Sequence, residues 1–315
     1  METSTRPFTR MGEMPPQKQR DAATDAQRRA VYFNPATAFM RNLSRVPDAT
    51  FADEANRALG ADAPTSIIYC DIADVLDADT RCTTPHLLAR YIAIRAHERI
   101  TTALVASGVV HYVIRGAGSV RQGDVSIAWQ AGDVFILPGG EDAVFEARDG
   151  GAVLWAVGNE PLLAFEGWQP APRDRAPIAA IHYPAAEIAR QIDLMYSVEK
   201  EEGTAARAII FSSDEQIDGR NILPSLSLAY NTLEPGTMQR AHRHNSVAVT
   251  LTIEGEGCYS IVDDLRKAWA PWATTITPPC AAHSHHNDGP RRALFLIVQD
   301  GGLYTNARAT GFEFV

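Results

Sequence analysis

The chain has 315 residues, 45% of them hydrophobic, enough to bury a full core and more in keeping with two domains than one. Its 38 acidic residues against 29 basic ones give a net charge of -9 with no run of Lys or Arg, which argues against nucleic acid as a partner and for a small-molecule ligand. No stretch approaches the roughly 20 apolar residues of a membrane span. The N-terminus has Pro, Arg and Gln where a secretory leader needs an apolar run, and Cys70, Cys82, Cys258 and Cys280 lack CxxC spacing, so the chain is expected to be cytoplasmic with free thiols.

Residues 1 to about 30 are polar and charged, with Pro15-Pro16 and little apolar periodicity, and are expected to form a mobile arm or to wrap around a partner subunit. A helix over 51–59 and a strand over 66–70, bounded by Pro64 and Asp71, follow as a lead-in. Short β-rich runs separated by Gly-containing turns then recur at 89–94, 109–114, 125–129, 134–137 and 153–157, a spacing that predicts a sandwich or barrel. Residues 185–196 read as a helix, with Ile188, Ile192 and Met195 on one face and Pro184 before its start. The β pattern resumes at 208–211, 226–230, 247–253, 257–262, 274–277 and 292–298.

The second half repeats the first. Tyr112-Val113-Ile114-Arg115-Gly116-Ala117-Gly118 matches Leu251-Thr252-Ile253-Glu254-Gly255-Glu256-Gly257, and Phe135-Ile136-Leu137-Pro138 matches Thr275-Ile276-Thr277-Pro278. Two copies of one barrel in tandem is the economical reading. The expected organisation is an arm and lead-in over 1–85, a first barrel over 86–165, a linker with a helix over 166–204 and a second barrel over 205–315.

Five of the nine histidines fall between 242 and 286. His242 and His244 lie on a predicted strand, where residues i and i+2 share a face, so both imidazoles enter one barrel interior. His283 follows a hairpin and Pro278-Pro279, where the returning strand can bring it beside them. Three neutral imidazoles converging inside a barrel make a site for a divalent first-row metal. A lone His-x-His is more often a satisfied core or surface pair; here the framing by Gly236, Gly255, Pro278, His283 and Asn287 favours a site.

That framing is similar to the two signature motifs of the cupin superfamily. The resemblance implies a mainly all-β fold of tandem cupin double-stranded β-helix barrels, a bicupin, with a few helices. Many cupins place a glutamate four or five residues after the second histidine; here those positions hold Ala248 and Val249, which leaves three histidines without a carboxylate. More narrowly, His242-Arg243-His244, Ile253-Glu254-Gly255-Glu256-Gly257, Thr277-Pro278-Pro279 and His283-x-His285 resemble the gentisate 1,2-dioxygenase group. There ferrous iron binds a ring through hydroxyl and carboxylate oxygens, and oxygen insertion cleaves a carbon–carbon bond.

The chain departs from that group in three ways. Thr250 stands where an arginine tends to be, Cys280-Ala281-Ala282 replaces a Trp-Thr-Trp stretch, and the first barrel has Ala103, Val105 and Ala143 where the second has His242, His244 and His283, so the first is expected to be metal-free. His285 and His286 are the expected catalytic pair beyond the metal ligands, able to hydrogen-bond a bound oxygen species or move a proton. Gln239, Thr250, Tyr259 and Cys280 are the expected substrate-binding residues. Arg243 is read as pointing away from the metal, and His97, His111 and His182 as structural.

The leading expectation is a non-haem Fe(II) dioxygenase using dioxygen on a small chelating substrate, such as a hydroxylated aromatic acid or a specialised metabolite. The alternatives are an isomerase, lyase or hydrolase using Zn, Mn or Ni as a Lewis acid, and a non-enzymatic small-molecule-binding bicupin. The resemblance also implies a homodimer or homotetramer.

Overall fold

The computed structural model describes residues 8–39, 42–201, 204 and 206–315. They fall into two compact units, divided between Arg45 and Val46. The first carries a 3-10 turn Met11–Glu13, a strand Gln17–Lys18 paired antiparallel with Val31–Tyr32, and short helices Asp25–Arg29 and Pro35–Ala38. Residues 8–30 thus carry short elements that the lack of apolar periodicity did not announce. The reason is local: Thr24 Oγ1 accepts from the Gln27 N–H at 3.2 Å while Gln27 Oε1 accepts from the Thr24 N–H at 3.1 Å, a reciprocal cap that starts a helix without any apolar stripe. Residues 1–7 lie outside the described residues.

The second unit holds two antiparallel barrels in tandem. In the first, a six-stranded sheet in the order Ile181–Tyr183, Val134–Pro138, Gly108–Arg115, Ala152–Gly158, Leu88–Ile94 and Ser66–Cys70 accompanies a four-stranded sheet, Arg99–Ala103, Asp142–Ala147, Ala117–Gln122 and Val125–Gln130. In the second, the six strands are Arg207–Phe211, Ser227–Leu233, Ala293–Gln299, Ala248–Glu254, Thr274–Thr277 and Thr50–Phe51. The five opposite them are Leu265–Ala268, Cys258–Val262, His283–Asn287, Thr237–His244 and Phe312–Phe314. The lead-in thus contributes an edge strand to each barrel: Ser66–Cys70 pairs with Leu88–Ile94, and Thr50–Phe51 pairs with Thr274–Thr277.

The two larger sheets pack against each other, which explains why their strands read as continuous apolar runs. On Gly108–Arg115, Val110, Tyr112 and Ile114 join one cluster with Val249, Leu251, Tyr230 and Leu296 of the second barrel, while Val109 and Val113 turn into the first. Two polar pins cross this seam: Tyr91 Oη donates to the Trp272 carbonyl at 2.6 Å, and Trp155 Nε1 donates to Thr274 Oγ1 at 2.9 Å. Burying an aromatic body while satisfying its polar tip is what makes Tyr and Trp suited to such a seam. The helix Ala185–Tyr196 has the expected bounds and buries Ile188 and Ile192.

Among the described residues, no helix is long and apolar enough to cross a membrane. All four cysteines are free thiols, and only Cys280 is exposed.

Candidate metal centre

His242 and His244 close the strand Thr237–His244, and His283 opens the neighbouring strand His283–Asn287 directly opposite His242. One candidate ligand nitrogen from each of the three falls within 4.8 Å of the other two. The register explains the convergence. His285 pairs with Gln239 and His283 with His242, so two residues on one strand span three on the other, which makes a β-bulge. The extra residue lets Gln239 and His242, which strict alternation would place on opposite faces, both turn inward; both are buried, whereas Met238, Arg240 and Arg243 are exposed.

Each Nδ1 is taken up locally. His242 Nδ1 lies 2.8 Å from the Arg240 carbonyl, His244 Nδ1 2.8 Å from that of Ser246, and His283 Nδ1 2.9 Å from that of Ala281. A carbonyl oxygen only accepts, so each Nδ1 carries the proton and each Nε2 presents a lone pair. Gln299 Nε2 sits 3.2 Å from His244 Nε2, where an amide N–H meets such a lone pair. Burial pushes the pKa of His283 down to about 3 and those of His242 and His244 below their ordinary value, so the cluster stays neutral at physiological pH.

The three histidines stand at one side of a cavity of about 350 Å³. Tyr304 and Thr305 of the helix Gly301–Asn306 line it too, as does Phe312, whose ring centroid lies 5.2 Å from that of His242. Asn231 and His285 also line it, and the His285 ring lies 5.3 Å from that of Phe295, which belongs to an apolar cluster with Leu233, Cys258 and Ala293. Among the described residues that line the cavity there is no Lys, Arg, Asp or Glu.

Of the remaining expected site residues, Gln239, Thr250 and His285 line this cavity. His285 is buried, and burial holds its pKa well below the ordinary histidine value. Its Nδ1 lies 2.7 Å from Ser260 Oγ, which in turn accepts from the Trp269 indole N–H at 2.8 Å. With its lone pair facing the indole, the Ser260 hydroxyl has one proton to give; donating it to Nδ1 leaves His285 with its N–H on Nε2.

His286, Tyr259 and Cys280 do not enter the cavity, and the expectations for them are corrected. His286 and Tyr259 face each other across paired strands on the outer surface, their rings stacked with centroids 4.6 Å apart and the Arg266 guanidinium 3.9 Å from the tyrosine ring. The period of two that turns His283 and His285 inward turns His286 outward. Cys280 sits in an exposed turn at φ +63°, its backbone N–H bonded to the His244 carbonyl. Arg243 points outward and pairs with Glu313 at 2.9 Å.

In the first barrel the positions opposite Ala143 are also shifted by one residue from the expectation. Thr102 pairs with Ala143 as His242 pairs with His283, so Thr102 and Leu104, both buried, match the histidines, while Ala103 and Val105 are exposed. That interior is filled by Leu104, Val113, Trp129, Phe135 and Phe145. His111 is buried among them with its ring stacked on Phe135 at 4.7 Å. Asn231, Ser260, Trp269 and Gln299 went unread as site residues. The signal available for Asn231 and Gln299 was a polar residue at an inward position of an otherwise apolar strand.

No protein-family model matches the chain. Among curated proteins it is similar to a gentisate 1,2-dioxygenase from a Ralstonia species, 33% identical over 76 residues, which are 24% of this chain and 21% of that protein. It is also similar to a 1-hydroxy-2-naphthoate 1,2-dioxygenase from Nocardioides sp. strain KP7, 29% identical over 112 residues, 35% of this chain and 29% of that one. The chain thus spans less than a third of the length of these two curated relatives. Among solved structures, the salicylate 1,2-dioxygenase of Pseudaminobacter salicylatoxidans superposes with a TM-score of 0.73 at 10% identity, covering 90% of this chain and 92% of that one. A cupin 2 conserved barrel domain protein from Leptotrichia buccalis gives a TM-score of 0.50 at 14% identity, covering 82% and 97%.

The fold is that of a bicupin, mainly all-β, with two cupin barrels in tandem. Within that architecture the chain resembles the gentisate-type 1,2-dioxygenases, the group to which the motifs around His242 and His283 point.

Proposed function

We propose that the protein is a non-haem Fe(II)-dependent dioxygenase that cleaves a small chelating substrate of the hydroxylated aromatic acid type, with His242, His244 and His283 as the metal ligands. The observation that carries this reading is the pinning of all three Nδ1–H groups on backbone carbonyls, which aims three unprotonated Nε2 atoms at one point. Neutral imidazoles suit iron, and equally manganese, nickel or zinc; the similarity to ring-cleaving dioxygenases favours iron.

A ferrous ion bound there would supply one-electron chemistry toward dioxygen and open positions for the substrate's hydroxyl and carboxylate oxygens. The chain does the rest. The backbone carbonyls fix the imidazole rings before metal arrives, so little reorganisation is needed. His285, held by Ser260 and Trp269, acts as a neutral hydrogen-bond donor toward oxygen atoms in the cavity. Phe312 and Tyr304 narrow the mouth and limit water. Gln299 gives up its contact with His244 Nε2 when metal binds, and its amide is then free to meet the substrate.

The test is the elemental metal content of protein purified without added metal or chelator, beside the His283→Ala variant, with oxygen uptake measured on hydroxylated aromatic acids. Stoichiometric iron that is lost in the variant, together with substrate-dependent uptake, supports the reading. Zinc or nickel without uptake would move the assignment to a redox-neutral metalloenzyme, and full metal occupancy in the variant would remove His283 from the ligand set.

A further inference from the structure

A second cavity, of about 660 Å³, lies outside the metal centre and takes its lining from both barrels, residues between 107 and 168 on one hand and between 216 and 308 on the other. Its size suits a small organic molecule. Two serines in its wall are set up by one amide. Asn159 is buried, its Oδ1 accepts from the Ser107 backbone N–H at 2.9 Å, and its Nδ2 donates to Ser107 Oγ at 3.2 Å and to Ser225 Oγ at 3.0 Å. A hydroxyl that accepts still has its own proton to give, and among the described residues neither Oγ gives it to an acceptor. Ser225 is buried, where an unmet donor is costly. One amide nitrogen thus holds two hydroxyl oxygens, each with a proton left over, an arrangement that suits the two oxygens of a carboxylate.

The charges on the same wall narrow the ligand further. Asp218 and Arg308 are the only charged side chains among the described lining residues, both are exposed, and neither is in an ion pair. Arg308 bonds only the Asn306 carbonyl of its own turn. Its guanidinium can add donors to a bound carboxylate, while Asp218 can accept from an ammonium group. The apolar part of the lining includes Leu163, Leu303 and Trp168, whose indole is 55% exposed beside the cavity. One anion, one cation and an apolar surface are matched by a ligand that carries the same three parts.

We infer that this cavity is a second ligand site, for a small zwitterion of the α-amino acid type with an apolar side chain. The carboxylate meets Ser107, Ser225 and Arg308, the ammonium group meets Asp218, and the side chain lies against Leu163, Leu303 and Trp168. The site is separate from the metal centre but shares a wall with it, because Asn221 and Thr305 line both cavities. The helix Gly301–Asn306 sits directly on the turn that carries Ser225: a Cβ added at Gly302 would stand 2.3 Å from the Pro224 carbonyl oxygen. A ligand held at Ser225 therefore braces the helix whose Tyr304 and Thr305 line the metal cavity.

The experiment is calorimetric titration of the full chain with L-phenylalanine, with 3-phenylpropanoate, which lacks the ammonium group, and with 2-phenylethylamine, which lacks the carboxylate. L-Phenylalanine should bind at least about tenfold more tightly than either, the size of one charge-assisted hydrogen bond. Arg308→Gln and Asp218→Asn, both at exposed positions where the fold is not at stake, should each weaken L-phenylalanine by about threefold or more. His283→Ala should bind it as the unaltered chain does. Amide exchange at 301–308, read by mass spectrometry, should slow when L-phenylalanine is added.

The absence of saturable heat with L-phenylalanine into the millimolar range overturns the inference, as does a truncated probe that binds as tightly. Binding that is lost in His283→Ala would put the amino acid on the metal. Binding that neither Arg308→Gln nor Asp218→Asn changes, or that leaves exchange at 301–308 unaltered, would put it elsewhere on the chain. Each of these outcomes removes the second site and leaves the proposed function standing.

Discussion

The backbone N–H of Cys280 donates to the carbonyl oxygen of His244 over 2.7 Å, so the turn that leads into His283 is fastened to the end of the strand that carries His242 and His244. What the bond needs is the amide and the left-handed conformation of Cys280, not its thiol. Cys280→Gly should therefore keep full metal content and change stability by no more than about 1 kcal/mol, since relief of strain and added chain freedom oppose each other. Cys280→Pro, which has no N–H and cannot reach a positive φ, should cost about 3 kcal/mol and weaken metal retention. Chemical denaturation and metal analysis of the two variants check both statements.

Ser260 stands between Trp269 and His285. Replacing it with alanine removes the donor to His285 Nδ1 and leaves the indole N–H unpaired, which should cost about 1–3 kcal/mol of stability. It should also release the tautomer of His285, with kcat falling about tenfold and KM changing less. Nitrogen-15 shifts of the His285 ring, read by NMR in the metal-free or zinc-loaded protein, would report the tautomer directly. A ring unaltered in the variant would remove Ser260 as its positioning residue.

His111 is fully buried, and burial, helped by the nearby Arg90 charge, pushes its pKa down to about 3. The unfolded chain takes up a proton near pH 6.5, the folded one only near 3, so the unfolded state binds more protons between these values. This contribution to stability is complete above about pH 6.5 and is lost as pH falls toward 3. Each such histidine adds a slope of up to roughly 1.4 kcal/mol per pH unit within that window. Unfolding free energies measured at pH 7, 6, 5 and 4 should fall less steeply in His111→Leu, by about one proton's worth.

The strand Phe312–Phe314 pairs with the outer edge of Thr237–His244, setting Phe312 opposite His244 and Phe314 opposite His242. Deleting residues 311–315 uncovers that edge and one side of the His242 ring. Backbone amide exchange at 242–244 should speed up, and metal should be lost faster to an external chelator. The exposed Arg243–Glu313 ion pair contributes little, so Glu313→Ala should leave both rates near those of the full chain. Hydrogen exchange by mass spectrometry, paired with chelator-transfer kinetics, distinguishes the two variants.

What could be read ahead of the structure follows from where each segment is buried. Ser66–Cys70, Thr274–Thr277 and the helix Ala185–Tyr196 have the expected limits because turn residues bound the two strands and the helix follows Pro184 and buries Ile188 and Ile192, four residues apart on one face. Arg99–Ala103 and Leu265–Ala268 escaped because each is mostly exposed, and a polar strand carries no alternation to detect. The gathering of His242, His244 and His283 was legible from the i, i+2 pair and the returning strand. His286 was misplaced because its neighbours drew it in, although its parity relative to His283 already put it outside. The Nδ1 anchors and the Ser260–Trp269 chain were not legible, since they depend on which backbone carbonyls and which cross-strand partners come within reach.

The bulge between Gln239 and His242 has a consequence for how such a pocket can change. Along this strand the half that reaches the far wall and the half that reaches the metal differ in phase by one residue, and the bulge absorbs the difference. Loss of one of the two residues between Gln239 and His242 would set Gln239 two positions before His242, where regular alternation turns both inward, so the same side chains would line the cavity without the bulge. A one-codon deletion in the bulge is thus a change the barrel interior absorbs, whereas the same deletion at Arg243 would make His242 and His244 neighbours and turn one imidazole out of the cavity.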